Sequence, residues 1–176
     1  MVRIIRLNDI EEEVLKHYPE ADTSLINKAY VFSARAHEGH TRLSGEPYLS
    51  HPLEVAYLLA QMGLGPVTVS CGLLHDTVED TTTTIDELDE YFGEEVADIV
   101  NGITKISQLT FGDRLTQQTE YLRKMVLSMS RDIRVLLVKL ADRVHNMRTL
   151  GFMDPASQKR IARETLDIYA PLAGRL

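Results

Sequence analysis

The chain has 176 residues, 44% of them apolar, enough for a packed core and too many for a disordered chain. Its formal net charge of −7 argues against binding nucleic acid along the whole surface, although a local group of Lys and Arg can still hold a small anion. No apolar run approaches the roughly 20 residues of a bilayer span, and the single cysteine, Cys71, excludes an internal disulfide framework.

The start, MVRIIRLNDIEEE, lacks the apolar core and small-residue cleavage site of a signal peptide, so a cytoplasmic protein without a membrane partner is expected. Cys71 reads as a small buried apolar residue. In LINKAYVFSARAH, Leu25, Ala29, Phe32 and Ala36 form one stripe at helical spacing. HPLEVAYLLAQMGLG predicts a helix that starts after Ser50, carries Pro52 in its first turn and stops at Gly63. Gly65-Pro66 opens the next helix, which is expected to run through GLLHDTVED. Thr84 and Glu87 have capping-box spacing, and Gly93 separates that short helix from EEVADIVNGIT. DIRVLLVKLADRVHNMRTLG predicts a long helix closed by Gly151, and Asp154-Pro155 an N-cap and first turn for PASQKRIARETLDIYAPL. The longer connections are 38–50 and 106–114. With no alternating run and no fixed repeat, these segments predict one compact all-α domain of about eight or nine helices.

Polar groups interrupt the apolar faces in a few places. On a continuous helix, His75 and Glu79, and likewise Asp76 and Asp80, would stand four residues apart in adjacent columns. Such columns would let His75 and Asp76 converge on one point, with Glu79 and Asp80 about one turn (5.4 Å) further along. Lys139, Asp142, Asn146 and Thr149 form a polar strip on an otherwise apolar helix. Burying Asp142 unpaired would cost several kcal/mol, so it needs a cation. His51, at the first turn of another helix, adds a second imidazole. Two imidazoles and two carboxylates form a mixed nitrogen and oxygen set that suits Mn²⁺ or Fe²⁺, with Zn²⁺ also compatible. The plainer alternatives are a hydrogen-bonded core His75 and an Asp142 paired with Lys139 or Arg143. His37, His40 and His145 read as hydrogen-bonded or surface residues, His17 as solvated, and Arg123 and Arg143 as surface or ion-pair residues.

These residues stand in five ordered stretches: TRLSGEPYLSHPLEVA, GLLHDTVEDT, NGITKI, KLADRVHNMRTL and IARETLDIYAPLAGRL. Together they resemble the hydrolase domain of RelA/SpoT homologues, within the HD superfamily of metal-dependent phosphohydrolases, from about residue 20 to 174. The resemblance implies an HD-type helical domain over residues 1–176 that uses Mn²⁺ to remove the 3′ pyrophosphate of ppGpp or pppGpp in stringent-response control. By the same resemblance, His51, His75, Asp76 and Asp142 are metal ligands, and Glu79 and Asp80 the acidic pair that activates water and assists proton transfer. Arg42 and Ser44 match positions beside the guanine. Lys139, Asn146, Arg148, Thr149 and Lys159 match the surroundings of the sugar and phosphates. The sequence departs from the pattern at Leu43, where many members carry Lys, and at Gly174, where His or Asn is usual. No synthetase segment is present, so the resemblance implies either a stand-alone small hydrolase or, as the family-like last helix running off the end favours, the amino-terminal part of a longer bifunctional enzyme with a synthetase and regulatory region as further partners. An HD phosphatase acting on another nucleotide such as NADPH, and a non-catalytic alarmone-binding module, are the competing functions.

Overall fold

Helices with no strand among them make up residues 4–107 and 131–176, the residues described by the structure, a computed structural model. They are α1 (Leu7–His17), α2 (Ser24–Ala36), α3 (Ser50–Gln61), α4 (Pro66–Leu74), α5 (Thr77–Asp80), α6 (Ile85–Phe92), α7 (Glu94–Ser107) and α8 (Ile133–Arg148). A 3₁₀ turn (Leu150–Phe152), α9 (Pro155–Glu164), a π-helical turn (Thr165–Tyr169) and α10 (Ala170–Ala173) complete them. Eight of these ten α-helices have eight residues or more, the all-α architecture that the periodicity predicts. Among the described residues no helix is long and apolar enough to cross a membrane.

Local chemistry sets most boundaries. Gly65 precedes Pro66 at the start of α4, where the missing proline N–H costs nothing. The Thr84 side chain accepts from Glu87 N at 3.2 Å, and Asp154 caps α9 by accepting from Ala156 N and Ser157 N at 2.9 and 3.1 Å. Three expectations need correction. The helix opened by Pro66 ends at Leu74, and a turn at His75-Asp76 separates it from α5, although Asp80 N still donates to Asp76 O at 2.9 Å and Asp80 stays one turn beyond Asp76. The long helix ends at Arg148, where the Thr149 hydroxyl donates back to His145 O at 3.1 Å, and Gly151 lies inside the following 3₁₀ turn. The last predicted helix is interrupted by the π turn at Thr165–Tyr169. Of the connection at 106–114, residues 106 and 107 belong to α7 and the remainder lies outside the described residues, as does Arg123.

α4 is the central element. Every residue from Thr68 to Leu74 is buried, Cys71 among them, and it packs on α2, α3, α7 and α8. Burial also pushes the Cys71 thiol up, which leaves it a small apolar group. The contact with α3 is close because of Gly72: a Cβ there would stand 2.6 Å from Leu59 Cδ1 and 3.2 Å from the Ala56 Cα. This close approach, with α3 and α4 antiparallel, brings the first turn of α3 beside the end of α4. Gly72→Ala is therefore expected to push the two helices apart at a cost of about 1–3 kcal/mol, read as a lowered urea midpoint. An unchanged midpoint would show that the interface has slack.

Candidate metal centre

Three separate pieces of chain deliver four donors to one place. His51 sits in the first turn of α3, His75 and Asp76 in the turn after α4, and Asp142 midway along α8. His51 Nε2 lies 3.2 Å from His75 Nε2, 3.3 Å from Asp76 Oδ2 and 3.3 Å from Asp142 Oδ1. His75 Nε2 lies 3.0 Å from Asp76 Oδ1 and 3.9 Å from Asp142 Oδ1. Adjacent ligands of an ion bound at about 2.1 Å stand about 3 Å apart, so the spacing and the donor set both fit a small divalent cation. His51, His75 and Asp142 offer ligand atoms all within 4.8 Å of one another.

Each donor is itself held. His75 Nδ1 meets Gly72 O at 2.8 Å, which places the ring proton on Nδ1 and turns Nε2 toward the cluster. Asp142 Oδ2 accepts from Lys139 Nζ at 3.1 Å, and Oδ1 accepts from Asn146 Nδ2 at 2.6 Å. Lys139 also donates to Ser107 Oγ at 2.8 Å, and Thr149 closes the predicted polar strip at the end of α8. The pairing of Asp142 with Lys139 that the sequence left open is thus real, and it leaves the other carboxylate oxygen facing the imidazoles.

The remaining residues fall into two groups. Glu79 and Asp80 stand exposed on α5, one turn beyond Asp76. Arg42 and Ser44 lie on the 38–50 connection, where Arg42 N donates to Glu46 O and Gly45 N to Arg42 O, both at 2.9 Å. Gly45, at φ +84°, supplies the left-handed residue of that turn. Arg42, Leu43, Ser44, Tyr48, Thr149 and Phe152 line a cavity of about 230 Å³. Arg148 is exposed on α8, and the positive charges of Arg42 and Arg148 add to burial and the His51 ring in disfavouring charge on the His145 ring. Lys159 is exposed on α9 and makes no contact with the cluster among the described residues. Arg143 pairs with Glu164 at 3.2 Å and caps the Tyr169 ring at 4.1 Å.

Comparison with known proteins places this geometry. Residues 29–176 match the HD domain family. The chain belongs to that family. A GTP pyrophosphokinase of Myxococcus xanthus is 55% identical over 93% of this chain and 22% of its own length. The bifunctional (p)ppGpp synthase/hydrolase SpoT of Escherichia coli K12 is 48% identical over 95% of this chain and 24% of its own. This HD domain thus spans about a quarter of the RelA/SpoT-type relatives it matches. A solved structure of a metazoan orthologue of SpoT, reported to hydrolyse ppGpp, has the same fold. Its TM-score is 0.62 at 22% identity, over 81% of this chain and 84% of that one.

Two residues in this HD domain went unread in the sequence. His145, expected to be a hydrogen-bonded or surface residue, is the former, buried with Nδ1 only 2.7 Å from His51 Nδ1, a partner the sequence did not name. If His51 presents a bare Nε2 to an ion, its Nδ1 proton must be donated to His145. Burial first, and then the neighbouring His51 ring, push the His145 pKa down to about 3, which suits a neutral acceptor. Tyr48 donates from its hydroxyl to Asp76 Oδ2 at 3.1 Å and to Asp80 Oδ2. One signal was available for each: His145 falls three residues after Asp142, and Tyr48 three before His51.

The electrostatics follow from the crowding. Burial opposes charge on His75, but Asp76, by field and hydrogen bond, and then Asp142 outweigh it and lift the pKa to about 9. Burial likewise opposes ionisation of Asp142, yet Lys139 and the His51 hydrogen bond hold it below the usual carboxylate range. A cation binding here must therefore displace a proton from His75, since only the neutral imidazole ligates. The folded-state pKa is raised, so proton competition operates below pH 9 and fades above it. The apparent Kd for Mn²⁺ is expected to fall by about tenfold per pH unit from pH 7 towards 9, with proton release seen by calorimetry in buffers of different ionisation enthalpy. A Kd independent of pH would contradict it. His145→Phe keeps the volume and removes the acceptor, and should weaken Mn²⁺ binding by about 10–100-fold, with the melting curve as the check on folding.

Proposed function

We propose that this HD domain is a Mn²⁺-dependent guanosine-3′,5′-bis(diphosphate) 3′-pyrophosphohydrolase, converting ppGpp or pppGpp and water to GDP or GTP and pyrophosphate. The observation that carries the reading is the cluster of His51, His75 and Asp142, with Asp76 3.0 Å from His75 and 3.3 Å from His51, an acidic pair one turn away and a cavity lined by Arg42 alongside. The relatives' names support the substrate: one is a (p)ppGpp synthase/hydrolase.

In this reading His51, His75, Asp76 and Asp142 hold the ion, Mn²⁺ in preference to Fe²⁺ or Zn²⁺, and Lys139 locks Asp142 in place. A divalent cation bound there lowers the pKa of a water and offsets charge building on the phosphoryl oxygens. Glu79 and Asp80 take the proton from the attacking water and deliver one to the ribose 3′ oxygen as its bond to phosphorus breaks. Crowding by the protein raises the Glu79 carboxyl, and the nearby Lys139 moderates the effect, which brings the group nearer the working pH of a general acid or base. Arg42, Ser44 and Thr149 form the walls for the base. Lys139, Asn146 and Arg148 face the sugar and phosphates, and their charge and donors suit a polyphosphate. Lys159, exposed on α9, adds a further cation for the phosphates.

The purified chain with Mn²⁺ is expected to release pyrophosphate from ppGpp, and a chelator should abolish the release. Faster turnover of NADPH or a 5′-nucleotide than of ppGpp would overturn the substrate. Glu79→Gln with Asp80→Asn should lower kcat by about 10²–10⁴-fold while bound Mn²⁺, measured by elemental analysis, stays constant. Unchanged turnover would remove the acidic pair from the chemistry.

A further inference from the structure

Tyr48 touches three parts of the site at once. Its hydroxyl donates to Asp76 Oδ2 at 3.1 Å and to Asp80 Oδ2. Its ring stacks on the buried His37 ring, with centroids 4.4 Å apart and planes 21° from parallel. The Arg42 guanidinium lies 5.7 Å from the ring centroid, and the same ring lines the cavity beside Ser44 and Thr149. The backbone is fixed too, with Tyr48 N donating to His40 O at 3.0 Å.

Asp76 caps α5 and Asp80 ends it, with Asp80 N donating to Asp76 O at 2.9 Å, so the two carboxylates stand one turn apart and their like charges repel. A four-residue helix with an exposed carboxylate at its end has little of its own to hold that carboxylate in one rotamer. A hydroxyl proton shared between the two oxygens supplies the restraint, and a flat ring beneath the tyrosine stops it from swinging away. We propose that Tyr48 is a positioning residue that sets Asp80 relative to Asp76, and that His37 is the seat on which it rests. This rests on the reading of Asp76 as a metal ligand and Asp80 as a proton carrier. A tyrosine that merely fills space there would act through its ring alone, and its hydroxyl would be dispensable.

Tyr48→Phe separates the two cases, because it keeps the ring on His37 and the wall of the cavity. Titrated with Mn²⁺ alone, the variant is expected to bind about tenfold more weakly, the scale of losing an outer partner of a ligand. On ppGpp, kcat should fall by about 10–100-fold while KM stays within about threefold of wild type. At saturating Mn²⁺, which removes the effect through Asp76, Tyr48→Phe combined with Asp80→Asn should be no slower than Asp80→Asn alone, because the remaining effect of the hydroxyl passes through Asp80. His37→Phe should recover the activity that His37→Ala loses. Wild-type Mn²⁺ affinity and kcat in Tyr48→Phe, fully additive losses in the double variant, or a collapsed melting curve would each overturn the assignment. If the wild-type chain leaves ppGpp intact while Tyr48→Phe still weakens Mn²⁺ binding, the substrate reading falls and the positioning role stands.

Discussion

Two imidazoles each within 4 Å of the same two carboxylates, three of the four groups nearly sealed from solvent, form an arrangement that packing alone resists. Each buried charge carries a desolvation penalty of several kcal/mol, and two carboxylates side by side add repulsion. The protein meets this partly with its own cation. Lys139 is 7% exposed and holds one oxygen of Asp142, with Ser107 taking another of its protons. The second carboxylate faces the His75 ring, whose raised pKa lets it carry a proton, and a divalent ion bound here would take the place of that proton. The helical scaffold is subordinate to that demand: α3 and α4 touch at Gly72, and α8 lies against both.

The break between α4 and α5 follows from the same demand. On an uninterrupted helix, His75 and Asp76 would point about 100° apart. The turn brings His75 Nε2 and Asp76 Oδ1 to 3.0 Å while His75 stays anchored on Gly72 O. It also frees the next four residues to form their own short helix, so Glu79 and Asp80 take a direction that α4 does not dictate. The 38–50 connection contributes in a comparable way. Its internal hydrogen bonds, including the isolated bridge between Thr41 and Pro47, carry Arg42 and Ser44 to the rim without a regular element.

Helix count, class and most boundaries were legible in the sequence because they rest on local chemistry: Gly65-Pro66, Thr84 and Asp154 each act within one turn. The four converging donors were legible as exceptions, since a carboxylate such as Asp142 on an apolar helix demands a partner wherever the helix lies. The turn at His75-Asp76 was not, because no glycine or proline marks it. His145 escaped for a related reason. Its meaning lies in a neighbour 94 positions earlier in the chain, and periodicity carries no information about that pairing.

The π turn at Thr165–Tyr169 has a geometric effect of its own. It buries Ile168 and Tyr169 and lets Thr165 donate to Met147 Sδ on α8. Closing a loop one residue wider than an α turn changes the rotational phase of everything after it by roughly 100°. α10 therefore leaves the bundle at an azimuth that an unbroken helix from Pro155 would not produce. Excising a single residue there would keep the helix and re-aim whatever it carries.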